Sequence, residues 1–103
     1  MDREIKEKMS ARAAVIKAIA HPTRLFIVDQ LSDKSKTVGE LTERIGADMS
    51  TVSRHLSVLK HVGIVRDERR GAAIHYSLRC PCIMKFFSCA EAVLAESLKE
   101  NKK

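Results

Sequence analysis

The sequence predicts a mainly α fold with one small β-hairpin, in the order α-α-α-α-β-β-α. Apolar side chains recur at helical spacing over most of the chain, and capping residues and glycines divide it into separate helices. One pair of β-branched stretches flanks a glycine-containing turn. The chain has 103 residues, of which 45% are hydrophobic and only 4% aromatic, which favours an aliphatic core. We expect residues 1–103 to form a single domain.

The first helix is predicted over residues 4–20, where Ile5, Met9, Ala13, Ile16 and Ala20 recur at three- and four-residue steps. Pro22 ends this helix. It also begins the second helix, because proline suits the first turn of a helix. The apolar positions of the second helix are Leu25, Ile27, Val28 and Leu31.

A helix-turn-helix is predicted over residues 37–61. Thr37 and Glu40 form a capping-box pattern at the start of its first helix, and Gly46 is a stop signal at its end. Asp48 is placed to cap the second helix. Two helices joined by the short turn Gly46-Ala47-Asp48 make up the motif.

A β-hairpin is predicted next, over residues 64–78, because two strand-like stretches surround a charged turn that contains Gly71. A hairpin directly after a helix-turn-helix is a wing. The last helix is predicted over residues 81–99, followed by a frayed tail at 101–103. The first and last helices carry wide apolar stripes, so we expect a homodimer through 4–20 and 81–99. The alternative is that the two helices pack only on each other within one chain.

The composition limits the classes of partner and compartment. With 19 Lys and Arg against 13 Asp and Glu, the net charge of +6 attracts polyanions, although a basic surface can also be merely solvated. No apolar run approaches the ~20 residues of a membrane span, and no apolar segment follows the charged N-terminus as in a signal peptide. We expect a cytoplasmic protein without a membrane partner.

The second helix of the helix-turn-helix carries polar residues that predict contact with double-stranded DNA. The N-terminal part of such a helix enters the major groove and reaches base edges. Arg54 can donate two hydrogen bonds to guanine, and the hydroxyl groups can bond phosphates or bases. The alternative is an ordinary solvated helix face. The predicted DNA-binding residues of this helix are Ser50, Thr51, Ser53, Arg54 and His55.

The tip of the hairpin supplies two further candidates, Arg69 and Arg70, beside Gly71. A basic hairpin tip next to a recognition helix suits contact with a phosphate or the minor groove. Asp67 and Glu68 lie in the same turn and dilute its positive charge, so the turn can also be read as a solubilising one.

Three segments resemble the ArsR/SmtB family of winged-helix repressors. They are Ala20–Leu25, Thr51–Lys60 and Gly63–Val65, and the resemblance extends over roughly residues 14–76. It implies a homodimer paired through the two terminal helices, with residues 50–55 reading DNA. It also implies that the repressor leaves its operator when it binds a metal, a metalloid or another signal.

Two inducer sites used in that family are missing from this sequence. A Cys-x-Cys element in the first helix of the helix-turn-helix is replaced by residues without cysteine, and the final helix has no histidine to pair with its acidic residues. The remaining candidates are three cysteines within ten residues: Cys80, Cys82 and Cys89.

Three thiolates suit As(III) or Sb(III), and soft thiolates also suit Cd(II), Pb(II) or Cu(I). Some arsenic-responsive members of the family carry cysteines near the final helix, which this arrangement resembles. Seven residues of helix separate Cys82 and Cys89 by about 10.5 Å of rise. One shared ion therefore requires either an unwound first turn or a Cys89 from the other subunit.

Other interpretations of the cysteines stay open. In a cytoplasmic protein structural disulfides are rare, so thiols or metal ligands are expected. A helix N-terminus favours the thiolate of Cys80, which also suits a thiol-based redox or reactive-sulfur sensor. Cysteine is also a small buried hydrophobe in many cores.

The sequence predicts no enzyme. A thiol oxidoreductase would need a Cys-x-x-Cys motif near a βαβ unit, and both are missing. A DNA architectural protein without sequence preference is a further alternative, against which the polar recognition helix argues. We expect a sequence-specific repressor with no constitutive cofactor.

Overall fold

The computed structural model describes residues 1–101. It confirms the mainly α class with a small β-hairpin. The elements are α1 (Arg3–Ile19), α2 (Pro22–Gln30), β1 (Lys36–Thr37), α3 (Val38–Ile45), α4 (Met49–His61), β2 (Val65–Arg70), β3 (Ala73–Leu78) and α5 (Ile83–Asn101). Of the predicted tail, Asn101 belongs to α5, and positions 102 and 103 lie outside the described residues.

Side chains at the helix starts explain where α1 and α2 begin. The carboxylate of Asp2 accepts a hydrogen bond from the backbone N–H of Ile5 at 2.9 Å. The Nδ1 atom of His21 accepts from the N–H of Thr23 at 3.1 Å, and Pro22 occupies the first turn of α2. Each cap satisfies an N–H group that has no partner within its own helix.

The predicted capping box of the helix-turn-helix is confirmed. The Thr37 hydroxyl accepts from the N–H of Glu40 at 3.2 Å, and the Glu40 carboxylate accepts from the N–H of Thr37 at 3.1 Å. Gly46 ends α3 with a φ of 79°, a left-handed conformation that glycine adopts without steric cost. Asp48 then caps α4 by accepting from the N–H of Thr51 at 2.7 Å.

The sheet has three antiparallel strands in the order β1-β3-β2. Strands β2 and β3 pair from Val65↔Leu78 at the base to Arg70↔Ala73 at the tip, within the predicted hairpin. Strand β1 was not predicted. It is two residues long, too short to show a period, and it forms because its backbone pairs with the free edge of β3.

The core lies between the C-terminal end of α1, helices α2 to α4 and the base of the sheet. Its buried residues are Ala18, Ile19, Ile27, Val28, Leu31, Leu41, Val52, Leu56, Leu59, Ile64, Val65 and Leu78. Helix α5 contributes no fully buried residue and packs only through half-buried side chains near its start. Much of the apolar surface of both terminal helices therefore stays exposed in one chain.

Within residues 1–101, no helix combines the length and the apolar character that a membrane crossing requires.

Candidate nucleic-acid interface and cysteine site

One face of helix α4 packs in the core, and the opposite face is exposed to solvent. Val52, Leu56 and Leu59 are completely buried in the core. Because side chains three and four residues apart share a helix face, the positions between them point away from the core. Ser50 and Arg54 are accordingly exposed.

The predicted DNA-binding residues of α4 have different surroundings. Arg54 makes no side-chain hydrogen bond or ion pair within residues 1–101, so its guanidinium can reach a base or a phosphate. The hydroxyl of Ser50 donates to Asp48 at 2.9 Å. Thr51 and Ser53 are half-buried. The hydrogen bond from the Thr51 N–H also holds the pKa of the Asp48 carboxyl below its usual range, so a negative charge sits at the start of α4.

His55 turns toward the body of the domain. Its Nδ1 atom accepts a hydrogen bond from Nε of Arg24 at 3.1 Å, and its ring lies 4.6 Å from that of His21. Burial lowers the pKa of His55, and the nearby His21 and Arg24 lower it further. With Nδ1 occupied as an acceptor, the neutral ring carries its proton on Nε2, the atom left to donate to DNA.

The role of Arg24 was not predicted from the sequence. Its Nη1 atom also donates to the carbonyl oxygen of Ala18 at 3.1 Å, so one guanidinium joins the end of α1, helix α2 and the recognition helix α4. A contact between positions 24 and 55 leaves no trace in local periodicity. Only the short sequence between His21 and Leu25, which resembles the family, marked the region.

The wing places Arg69 and Arg70 at the exposed tip, where Gly71 turns the chain with a φ of 61°. Arg69 donates to the carbonyl of Gly71 at 3.4 Å. Arg70 lies 3.4 Å from the Glu68 carboxylate and 3.4 Å from the hydroxyl of Ser35. Because these contacts are long, both guanidinium groups stay available to bind DNA. Glu68 offsets part of the charge of Arg70 and does not pair with Arg69.

An ion pair connects the recognition helix to the wing. Nζ of Lys60, in the last turn of α4, lies 2.9 Å from the Asp67 carboxylate on β2. The hydrogen bond to Asp67 raises the pKa of Lys60. Asp67 is thus engaged with Lys60 instead of facing the arginines at the tip.

Cys80 and Cys82 form a disulfide, with their Cα atoms 5.4 Å apart, in the turn between β3 and α5. This corrects the expectation of free thiols at both positions. Cys89 is exposed and free. The structure does not bring the three predicted ligands together, and residues 1–101 contain no cluster of three His, Cys, Asp or Glu side chains placed for a metal ion.

Helix α5 begins at Ile83, two residues after the predicted start at Pro81. The N–H groups of Ile83 and Met84 donate to carbonyls three residues back, on Cys80 and Pro81, which makes a tighter turn than an α-helix. Cys82 therefore belongs to a turn and only Cys89 to the regular helix. An apolar cavity of about 420 Å³, lined by parts of α1 and α5, adjoins the disulfide.

The chain is similar to several bacterial regulators. A family model described as "Bacterial regulatory protein, arsR family" matches residues 21–67. An HTH-type transcriptional regulator of Mycobacterium tuberculosis is 36% identical over 91 residues, which are 87% of this chain and 80% of that protein. The biofilm growth-associated repressor of Xylella fastidiosa is 39% identical over 79 residues, covering 76% of this chain and 69% of that protein.

Solved structures agree in fold. A homodimeric winged helix-turn-helix DNA-binding domain from Mycobacterium bovis, described as a possible ArsR-family regulator, superimposes with a TM-score of 0.83 at 26% identity. It covers 97% of this chain and 93% of that one. The crystal structure of Rv0081 from M. tuberculosis gives 0.80 at 32% identity over the whole of both chains.

These matches are to regulators, which confirms that the chain is not an enzyme. The matched residues 21–67 run from the start of α2 into the first strand of the wing, and so contain the helix-turn-helix. The chain belongs to the ArsR/SmtB family of bacterial transcriptional regulators with a winged helix-turn-helix fold.

Proposed function

We propose that this protein is a homodimeric repressor that binds a specific operator through α4 and the wing, and leaves it when Cys80 and Cys82 react. The observation that carries the DNA-binding part is the outward face of α4. It presents Arg54, which has no side-chain partner within residues 1–101, and the exposed hydroxyl groups of Ser50 and Ser57, on a helix whose opposite face is buried in the core. The repressor role is supported by the Xylella relative, which is itself named a repressor.

The dimer is supported by apolar side chains left exposed on the terminal helices. On α5 these are Phe86, Val93, Leu94 and Leu98, and on α1 they are Ile5, Met9 and Ile16. Large apolar side chains left exposed along two helices favour an interface. The M. bovis neighbour, which is described as homodimeric, has the same fold. Two copies would present two recognition helices to half-sites about one turn of DNA apart.

The inducer is proposed to act on the Cys80–Cys82 pair. Reduced, the two thiols lie close enough to chelate a soft ion such as As(III) or Sb(III), with a third thiolate supplied by Cys89 of the same chain after unwinding or by the partner subunit's Cys89. Capture at this turn would distort the start of α5, which lies between the wing and the proposed dimer interface, and would thereby alter the spacing of the two recognition helices.

A second candidate inducer is an oxidant, and the disulfide between Cys80 and Cys82 is the observation that favours it. In the reaction with a peroxide the two thiols lose two protons and two electrons, one S–S bond forms, and the O–O bond is reduced to water or to water and an alcohol. Cys89 takes no part in this chemistry, which separates the two candidates.

The test is operator binding by fluorescence anisotropy, with reduced protein and the DNA upstream of its own gene. Arsenite and peroxide are added separately to the wild type and to Cys80→Ser, Cys82→Ser and Cys89→Ser. Release by arsenite that all three substitutions abolish supports the three-thiolate site. Release by peroxide that survives only in Cys89→Ser supports the redox candidate. Specific binding that ignores both reagents would refute thiol control and leave the DNA-binding proposal standing.

A further inference from the structure

We infer that the cleft between α1 and α4 is a second contact with the phosphate backbone of DNA, beside the base-reading end of the recognition helix. The inference rests on the proposed DNA-binding function and extends it to residues outside the helix-turn-helix. The cleft has a volume of about 450 Å³. One wall is the C-terminal half of α1 and the other is the exposed side of α4.

The charge of the cleft is of one sign. Its lining includes four basic side chains and no acidic one: Lys17, Arg24, Arg54 and His61. Arg24 is occupied by His55 and the carbonyl of Ala18. The side chains of Lys17 and His61 are exposed and have no hydrogen bond or ion pair within residues 1–101. The surface of the cleft itself is almost entirely apolar, so its attraction for phosphates comes from the exposed side chains of Lys17 and Arg54, which no carboxylate in the lining neutralises.

The cleft continues the DNA-binding face of α4. Ser50, Arg54, Ser57 and His61 are all exposed and follow one another at steps of four, three and four residues, so they share one side of the helix. At 1.5 Å per residue this stripe is about 16 Å long. A helix seated in the major groove runs beside the phosphates at the groove edge, and Lys17 on α1 lines the same cleft as Arg54 and His61.

A second cleft on the same molecule carries charged side chains of the opposite sign. The cleft between α2 and α5 is lined by Asp29 and Glu91 and has no basic residue. The α1–α4 cleft and the α2–α5 cleft therefore differ in the sign of their charged side chains. The chemistry at the α1–α4 cleft is that of sequence-independent phosphate contact: an ammonium, a guanidinium and an imidazole N–H.

The experiment measures operator affinity across a series of salt concentrations for Lys17→Ala and His61→Ala. Lys17→Ala removes a cation, so the lost phosphate contact should lower the slope of log K against log salt by about 0.9, or about 1.8 for a dimer that loses two. His61→Ala removes a hydrogen-bond donor and should lower the affinity with the slope unchanged. Affinity should fall several-fold at low salt by the same factor on operator and on random duplex. Lys8→Ala, which removes an exposed lysine further along the same helix, is the matched control and should leave the slope unchanged.

A wild-type slope in Lys17→Ala together with wild-type affinity in His61→Ala would overturn the inference, as would a loss confined to operator DNA. Thermal melting of each variant verifies that the fold is intact. Failure of the proposed function is a separate result: the wild type would then show no preference for its upstream DNA, while the salt slope on random duplex would still report on the cleft.

Discussion

Arg54 and His55, which are neighbours on the recognition helix, differ in their side-chain partners. Arg54 extends from the helix with no partner in the described part of the chain, whereas the His55 ring is held by Arg24. The exposure of Arg54 could be predicted from the sequence, because it follows from the spacing of the buried Val52 and Leu56. The pairing of His55 could not, because its partner lies 31 residues earlier and is brought to it by the packing of α2 on α4.

Substitution of Arg54 tests base readout. Arg54→Ala should weaken operator binding by about 1–3 kcal/mol and relax the preference at one base pair. Arg54→Lys keeps the charge but loses the two-pronged hydrogen bond, so it should restore affinity for random duplex and not the base preference. Anisotropy titrations with single-base operator variants measure both. Equal discrimination by Arg54→Lys and the wild type would show that another residue reads that base.

The environment of His55 predicts a pH dependence of stability. Its folded-state pKa is lowered, mainly by burial, so the unfolded chain binds a proton first as the pH falls. The contribution of neutral His55 to the free energy of unfolding is complete above the unfolded-state pKa of about 6.5. It is lost as the pH falls through the lower folded-state pKa. Urea unfolding at pH 7.5 and 5.0 should show a larger loss for the wild type than for His55→Gln. The charged groups around the ring are His21, Arg24 and Arg54, and none is acidic.

An equal loss in His55→Gln and the wild type would assign the pH dependence to other groups. The glutamine can still accept the hydrogen bond from Arg24, so the comparison isolates the titration.

At the scale of elements, boundaries marked by local chemistry were predictable and boundaries set by pairing were not. The capping box at Thr37 and the glycine stop at Gly46 lie where the sequence placed them. Strand β1 was missed, because it exists only through its pairing with β3. The start of α5 was misplaced by two residues, because the turn at Cys80 uses shorter-range hydrogen bonds than the helix that follows.

Strand β1 depends on a buried lysine. Lys36 has no exposed surface, and its Nζ donates to the Gln30 carbonyl at the end of α2 and to the Asp33 carboxylate at 2.7 Å. Lys36→Ala should lower the free energy of unfolding by about 1–3 kcal/mol, because the buried stem and both hydrogen bonds are lost. The exposed Lys34→Ala should change it by less than about 0.5 kcal/mol. Urea denaturation measures both, and similar values for the two variants would contradict this role.

At the scale of the whole molecule, the fold class followed from the sequence, since periodicity, caps and the hairpin turn all indicated the same order of elements. The covalent state of the cysteines did not. The sequence places Cys80 and Cys82 two positions apart, but only the turn around Pro81 brings their sulfur atoms into bonding distance.

The proposed dimer makes a prediction about assembly. Val93 and Leu94 are 70% and 61% exposed on α5, so the double substitution to glutamate should place charges in the interface and give a monomer. Sedimentation equilibrium measures the mass. Ile74→Glu, at an exposed apolar position on the wing, is the control and should remain a dimer. A dimeric double variant would exclude this part of α5 from the interface.

The shallow packing of α5 has a consequence for the protein in dilute solution. A 19-residue helix with no fully buried side chain draws little stability from its own chain. In a dimer the remainder would come from a second copy, so the melting temperature should rise with protein concentration. The abundance of the regulator would then set how much of it is fully folded, and synthesis and dilution at cell division would act directly on its occupancy of DNA.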